Sequence, residues 1–134
     1  MSKEGESIFT FGDKGPEKLC KPACCIPYKN MFLVSDRENH CIKAFDQSRT
    51  FLYKFGIEGN QDGQFKCPSG LLVDSSNNLL VCDFGNSRVQ QFSLDGRFTG
   101  KSITRLSKPM VITTAPDGRI LVTSYDEKKV YILK

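Results

Sequence analysis

Side chains that could perform metal chemistry are few in this sequence, and their spacing is unfavourable. The single histidine is His40, whereas a zinc site built on histidines needs several of them. The six cysteines form neither two CxxC pairs nor a CxxC pair followed by two histidines. They are Cys20, Cys24, Cys25, Cys41, Cys67 and Cys82. The residues therefore predict no metal site, and we expect free thiols that act as small core residues.

Motifs of nucleophilic and phosphate-transfer chemistry are also missing. There is no GxSxG motif and no glycine-rich loop that ends in Lys-Ser or Lys-Thr. The run "GIEGNQDG" at 56–63 is rich in glycine, but it joins strand to strand and has no helix to present its amides to a phosphate. The sequence thus predicts a protein that is not an enzyme and binds no cofactor.

Composition places the chain among ordinary globular domains. It has 134 residues, 39% of them hydrophobic and 25% charged, which is enough for one domain. No apolar run approaches the ~20 residues of a membrane span, and the start "MSKEGESIFTFG" lacks the apolar core of a secretory signal. We therefore expect a cytoplasmic protein with no membrane contact. The net charge of +4 permits an anionic partner without requiring one.

A threefold internal repeat organises the chain. The segments "FLVSDRENHCIKAF" at 32–45, "LLVCDFGNSRVQQF" at 79–92 and "ILVTSYDEKKVYIL" at 120–133 align without a gap. Their shared valines are Val34, Val81 and Val122, which lie 47 and then 41 residues apart. Each segment has the pattern of two strands joined by a polar turn.

Flanking each repeat are two further predicted strands. Apolar runs such as "GLLVD" at 70–74 precede the hairpin, and amphipathic runs such as "TFLYKFG" at 50–56 follow it. Four antiparallel strands every ~40 to 50 residues are typical of a β-propeller blade. A β-sandwich is the competing architecture, but it gives no reason for the same residue classes to recur at fixed offsets. We predict an all-β fold of three four-stranded propeller blades.

Blade 2 resembles the NHL repeat. The resemblance depends on Phe55, Gly56, Gly59, Gly63, Phe65, Pro68, Gly70, Asp83, Asn86, Arg88, Val89 and Phe92. Blade 1 keeps Phe11, Gly12, Gly15, Pro22, Asp36, Asn39, Ile42 and Phe45, but has Cys41 in place of the arginine. Blade 3 departs further, with Ser124 and Glu127 in place of the Asp and Asn. The chain is similar to the NHL domains of tripartite-motif (TRIM-NHL) proteins.

That resemblance implies a ring of six blades, of which this chain supplies three. The sequence divides into a leading outer strand (1–12), blade 1 (13–56), blade 2 (57–103) and blade 3 (104–134), which lacks its own outer strand. We predict that two copies form a homodimeric six-bladed ring, with the N-terminal strand of each closing the last blade of the other. The rival interpretation is a truncated piece of a longer NHL domain.

Two groups of residues are candidates for function. A structural turn network is predicted at the ends of the second strands, because Asp and Asn side chains bond turn backbone groups. Its members are Asp36, Asn39, Asp83 and Asn86, with Arg88 joining them. A ligand-binding face is predicted where the hairpin turns emerge together. Its candidates are Arg37, His40, Lys66, Phe84, Arg88, Lys108, Tyr125, Lys128 and Lys129.

The residues on this face allow two kinds of partner. Propellers are above all interaction platforms, so a protein partner is the first interpretation. Cations interleaved with aromatic rings also suit single-stranded RNA, which several TRIM-NHL proteins bind with this face. A fragment of an NHL-like enzyme is a remote alternative, and the chain has no RING or B-box spacing of its own for ligase activity.

Overall fold

The computed structural model describes residues 8–133, which form eleven antiparallel strands in three sheets. Blade 1 contains β1 to β4, at Pro22–Tyr28, Met31–Asp36, Cys41–Asp46 and Phe51–Phe55. Blade 2 contains β5 to β8, at Pro68–Val73, Leu79–Asp83, Arg88–Phe92 and Phe98–Thr104. Blade 3 contains β9 to β11, at Pro109–Thr114, Ile120–Ser124 and Val130–Leu133. The predicted all-β architecture of antiparallel blades is confirmed.

Helix is limited, among the described residues, to the short 3-10 turns Arg37–Asn39 and Phe84–Asn86. No helix in residues 8–133 has the length and apolar character needed to span a bilayer. Within each blade the strands pair in chain order, as a meander. Each blade is therefore built from consecutive residues, and neighbouring blades pack face to face.

The second strand of blade 2 is buried on both of its faces. Leu79 and Val81 point into the core between blades 1 and 2, whereas Leu80 and Cys82 point into the core between blades 2 and 3. A strand that is covered on both faces has no solvent side to be polar. This explains the continuous apolar run "LLVC" that opens the second repeat.

Aromatic rings fill the space between blades 1 and 2. Phe55 from blade 1 packs on Phe92 of blade 2 with ring centroids 5.3 Å apart, and Phe65 lies the same distance from Phe92. Phe65 and Phe92 are almost completely buried. Full burial of a large apolar side chain contributes roughly 1.5–3 kcal/mol, so these rings are a main attachment between the two blades.

The first strands of the blades lie side by side, β1 next to β5 and β5 next to β9. Serine hydroxyl groups connect β5 to β2 of blade 1 and to β9 of blade 3. Ser35 Oγ donates to the carbonyl oxygen of Ser69 at 2.7 Å, and Ser69 Oγ donates to that of Pro109 at 3.0 Å. The strands approach so closely that a Cβ on Gly70 would lie 2.7 Å from the carbonyl oxygen of Met110.

The two ends of the array differ from its middle. Residues 8–12 form no strand within this chain, and the remainder of the predicted leading strand, residues 1–7, lies outside the described residues. At the other end, β11 pairs with β10 on one side and with no strand of residues 8–133 on the other. Blade 3 thus presents an open edge in the part of the chain that the structure describes.

Candidate functional site

The turns between second and third strands emerge on one face of the array, which we call the turn face. Each turn is fastened to the loop that enters its own blade, because a lysine carbonyl of that loop accepts an amide N–H of the turn. The pairs are Lys21 with Arg37 at 3.0 Å, Lys66 with Gly85 at 2.7 Å and Lys108 with Tyr125 at 2.9 Å. The same attachment in all three blades brings the turns into register around the face.

In blade 2 a buried ion pair supports the turn. The Asp83 carboxylate accepts hydrogen bonds from Arg88 Nε at 2.8 Å, from Asn86 Nδ2 at 3.0 Å and from the Lys66 amide at 2.8 Å. The guanidinium also donates to the carbonyl oxygens of Gln61 and Gln64. Arg88 is only 8% exposed, so its charge is used within the fold and is not offered on the turn face.

Blade 1 reaches the same arrangement with different residues. Lys43 Nζ lies 3.0 Å from the buried Asp36 carboxylate, which also accepts from Asn39 Nδ2 at 2.6 Å and from the Cys20 and Lys21 amides. Burial raises the pKa of Asp36, but the hydrogen bonds from Asn39, Lys43 and the two amides outweigh it and hold the pKa below its ordinary value. The carboxylate is therefore ionised at neutral pH.

Lys43 was not among the residues expected from the sequence. The signal was present, because blade 1 has Cys41 where blade 2 has Arg88, and the missing cation is restored two residues later. Side chains two apart on a strand share a face, so Lys43 can reach the carboxylate that an arginine at position 41 would have reached.

In blade 3 the carboxylate is at the fourth position of the network, Glu127, and a serine, Ser124, occupies the position of the aspartate. Ser124 Oγ accepts from the Glu127 amide at 3.1 Å, and the Glu127 carboxylate takes a hydrogen bond from the Tyr131 hydroxyl at 3.2 Å. Lys129 Nζ lies 2.9 Å from the same carboxylate, and this hydrogen bond raises the pKa of Lys129. These groups are more exposed than their counterparts in the other blades, so the third turn is the least buried.

Four of the predicted face residues form a contiguous group, which we call the rim row: Arg37, Phe84, Lys108 and Tyr125. The Arg37 guanidinium lies 4.7 Å from the centre of the Phe84 ring, and Lys108 Nζ lies 6.0 Å from it. The Tyr125 ring meets Phe84 edge to face, with centroids 5.6 Å apart. Arg37, Phe84 and Tyr125 each follow the last residue of their blade's second strand, so the repeat itself builds the row.

The other predicted face residues lie apart from the rim row. Lys66 is exposed beside Gly85. Lys128 and Lys129 are exposed at the outer side of the third turn. The His40 side chain lies between blades 1 and 2, where Nδ1 accepts the Cys67 amide at 3.0 Å and Nε2 lies 3.7 Å from the Glu58 carboxylate.

Lys21 is a cation of the turn face that the sequence prediction omitted. It is exposed, and it occupies in blade 1 the place that Lys66 and Lys108 occupy at the entrances of the other blades. A lysine one or two residues before the first proline of every blade was the signal that could have identified it.

Acidic side chains neutralise part of this positive surface. Lys21 pairs with Glu38 at 3.4 Å, Lys108 with Asp126 at 4.0 Å and Lys129 with Glu127 at 2.9 Å. A hydrogen bond from the Ser107 hydroxyl lowers the pKa of Asp126, so that group carries its full negative charge at neutral pH. The turn face is therefore a mixed surface with a positive and aromatic centre.

The described residues offer little for catalysis. Among residues 8–133, no group of three or more His, Cys, Asp or Glu side chains converges as a metal site would require. All six cysteines are free, but only Cys41 and Cys82 are buried, so the expectation of core thiols holds for two of the six. Burial raises the pKa of Cys82 to about 12, which keeps this thiol protonated and unreactive.

A cavity of about 490 Å³ lies beside blade 1, lined in part by His40, Lys54 and three glutamates. Lys54 Nζ is bound to Glu17 at 3.0 Å, which raises the pKa of Lys54 and keeps it protonated. Cys41 also borders this cavity, but burial raises the pKa of its thiol. The cavity thus holds paired charges without an activated nucleophile.

Residues 65–92 match the family model of the NHL repeat, which confirms the resemblance expected from blade 2. The chain is 33% identical over 151 aligned residues to the E3 ubiquitin-protein ligase TRIM32 of Mus musculus, covering 98% of this chain and 22% of that protein. It is 37% identical over 84 residues to Protein brain tumor of Drosophila melanogaster, covering 58% of this chain and 8% of that protein. The chain therefore spans less than a quarter of each of these relatives.

A solved structure supports the fold. A virginiamycin B lyase from Staphylococcus aureus superposes with a TM-score of 0.67 over 90% of this chain and 43% of the lyase, at 14% sequence identity. At that identity the likeness concerns the blade architecture alone. The chain is thus an array of propeller blades with an NHL repeat at its centre, similar to part of a TRIM-NHL protein.

Proposed function

We propose that this chain, whose second blade is an NHL repeat, is a non-enzymatic module that binds an acidic segment of a protein partner across the rim row. The observation that carries the proposal is the stacking of Arg37 and Lys108 around Phe84, with Tyr125 against its edge. Arginine and tyrosine are enriched among the residues that dominate protein interfaces. A row of such side chains on a rigid sheet scaffold provides a preorganised anchor.

The charges favour a protein over a nucleic acid. Glu38, Asp126 and Glu127 pair with lysines of the turn face, which leaves fewer cations for the many phosphate contacts that supply most nucleic-acid affinity. Cations already lie over the Phe84 ring, which leaves it poorly placed to stack on a base. A polypeptide with acidic and apolar side chains can use both the unpaired cations and the rings.

Single-stranded RNA is the second candidate, and one observation favours it. Tyr125 is 64% exposed, and its amide donates to the carbonyl oxygen of Lys108 in the loop that enters blade 3. Stacking of a base on an aromatic ring contributes ~1–3 kcal/mol, and nearby lysines can contact the adjoining phosphates. This candidate requires affinity that falls steeply with salt.

We also propose that the chain acts as a homodimer whose two three-bladed halves close one ring. The open edge at β11 supports this assembly. Free thiols at all six cysteines support action in a reducing compartment such as the cytoplasm.

Fluorescence anisotropy with two labelled probes tests the binding proposal. One probe is a peptide of alternating Glu and Tyr residues, and the other is an oligouridine. We expect the peptide to bind and the Arg37→Glu variant to weaken it about tenfold, equivalent to about 1.4 kcal/mol. Lys101→Glu, on the outer strand of blade 2, is the matched control and should bind normally. Equal losses in both variants, or no peptide binding at low salt, would contradict the proposal.

The oligouridine separates the two candidates. Binding that drops about a thousandfold or more between about 50 mM and about 200 mM salt would assign the turn face to RNA. No oligouridine binding at the lower salt concentration would exclude the second candidate.

A further inference from the structure

Residues 9–12 lie against blade 1 in the same way that the end of β4 lies against blade 2. Phe11 packs on Phe45 of blade 1 with ring centroids 5.0 Å apart, and Phe55, at the end of β4, packs on Phe92 of blade 2 at 5.3 Å. Phe45 and Phe92 are equivalent positions of the repeat. Phe11 therefore has the same position relative to blade 1 that Phe55, the last residue of an outer strand, has relative to blade 2.

Two further contacts repeat in the same way. The glycines after these phenylalanines both have a positive φ, +86° at Gly12 and +102° at Gly56. A Cβ on Gly12 would meet Leu19 at 2.5 Å, and one on Gly56 would meet Phe65 at 2.5 Å.

The residues two positions before these phenylalanines, Phe9 and Tyr53, also have equivalent contacts. The Phe9 ring lies under the guanidinium of Arg49, and Arg49 is in the turn before the outer strand of blade 1. Tyr53 donates from its hydroxyl to the Leu94 carbonyl oxygen, in the corresponding turn of blade 2. The segment is thus placed as the outer strand of a blade that precedes blade 1.

Blade 3 presents the face on which such a neighbour would pack. Its residues Leu121, Val130 and Ile132 are equivalent by the repeat to Leu33, Ile42 and Ala44 of blade 1. The blade 1 residues are at most 1% exposed because blade 2 covers them. Val130 is 56% exposed and Ile132 is 51% exposed.

We infer that residues 8–12 dock on the β11 edge of a second copy of this chain, while blade 1 of the first copy covers the apolar face of that copy's blade 3. This inference rests on the proposed homodimer and assigns its contacts. Exposed apolar side chains occur on both sides, with Ile8 87% and Phe9 71% exposed on the segment. Docking would give the unpaired backbone groups of β11 their hydrogen-bond partners.

The repeat also fixes the register of this pairing. Ile42 lies opposite Phe55 and Ala44 opposite Tyr53 in blade 1. By equivalence, Phe11 lies opposite Val130 and Phe9 opposite Ile132. Directly opposed residues of antiparallel strands have Cα atoms ~4.5–5.5 Å apart, within the range that a disulfide can bridge.

Disulfide trapping between two differently substituted copies tests the inference. Full-length Phe9→Cys is mixed with full-length Ile132→Cys under mild oxidation, and the linked peptide is identified by mass spectrometry. We expect a disulfide between positions 9 and 132 that forms only in the mixture. Phe9→Cys mixed with Arg119→Cys, an exposed site in the turn between β9 and β10, is the matched control and should give only background linkage.

The oligomeric state provides a second measurement that needs no cysteine. Ile132→Lys should raise the dimer dissociation constant at least tenfold, whereas Ser102→Lys, at an exposed site on β8, should not. Equal linkage in both mixtures, or a dimer that Ile132→Lys leaves unchanged, would overturn the inference. Peptide binding at the rim row is measured separately, so loss of the docking contact and loss of the binding function are distinguishable.

Discussion

Buried carboxylates end the second strands of blades 1 and 2, and a cation from the neighbouring third strand holds each of them. Blade 2 uses Arg88 for Asp83, and blade 1 uses Lys43 for Asp36. In both blades the same carboxylate also accepts amides of the entering loop, so it joins three segments of chain. These residues determine where the turns stand, and the turns carry the rim row.

Removal of Arg88 should therefore destabilise blade 2 strongly. Arg88→Met leaves the Asp83 carboxylate buried without its ion-pair partner, and loss of one partner of a buried pair costs about 3–5 kcal/mol. Urea unfolding followed by circular dichroism measures the change. Arg97→Met, whose side chain is 79% exposed, is the control and should change the free energy of unfolding by less than about 0.5 kcal/mol. Similar effects of the two variants would contradict this role for Arg88.

Acid should weaken the fold partly through Asp36. Its pKa is lower in the folded protein than the ~3.9 of an unfolded chain. The resulting stabilisation is complete above that unfolded value and is lost as the pH falls through the lower folded pKa.

Asp36→Asn should therefore reduce the difference between the free energies of unfolding at about pH 7 and about pH 3. Asp13→Asn, at an exposed site, serves as the control and should leave that difference unchanged. A pH dependence in Asp36→Asn identical to that of the unsubstituted protein would show that this carboxyl does not contribute.

At the scale of the elements, the first strands of neighbouring blades lie side by side, β1 next to β5 and β5 next to β9. Ser69 on β5 links two neighbouring strands, because its carbonyl accepts from Ser35 on β2 and its hydroxyl donates to Pro109 on β9. Gly70 follows it at a point where the backbones of β5 and β9 leave no room for a side chain. The angle between blades 2 and 3, and with it the contact between Phe84 and Tyr125, depends on this approach.

Gly70→Ala should separate β5 from β9. The added methyl carbon would lie 2.7 Å from the Met110 carbonyl oxygen, and overpacking of this kind costs about 1–3 kcal/mol. Thermal unfolding measures the loss, with Ser102→Ala on the exposed outer strand as the control. A melting temperature equal to that of the control would mean that β5 and β9 leave room for a methyl group at position 70.

The repeat made the blades predictable, because shared offsets of valine, aspartate and phenylalanine mark equivalent strands. The same offsets placed Arg37, Phe84 and Tyr125 together. The sequence placed Arg88 both in the turn network and on the ligand-binding face, and only its burial against Asp83 decides between them. Likewise, only the contact with Asp36 shows that Lys43 takes the place of the arginine in blade 1. Nor could the sequence show that Lys108 lies over Phe84, which is set by the angle between two blades.

At the scale of the whole molecule, blade 3 exposes the positions that blade 1 buries, and residues 8–12 stand as an outer strand without a blade. In the proposed homodimer, a second copy would cover the blade 3 face and pair with residues 8–12 in a single closed ring. The dimer would also place two rim rows on one disc, so that a partner with two acidic segments could bind more tightly through both.

The mass of the 134-residue chain in solution tests this account most directly. Light scattering coupled to size-exclusion chromatography at micromolar concentration should give about twice the 15.1 kDa of one chain. A monodisperse particle of 15.1 kDa would contradict the closed ring, because the β11 edge and the apolar face of blade 3 would then stay open to water.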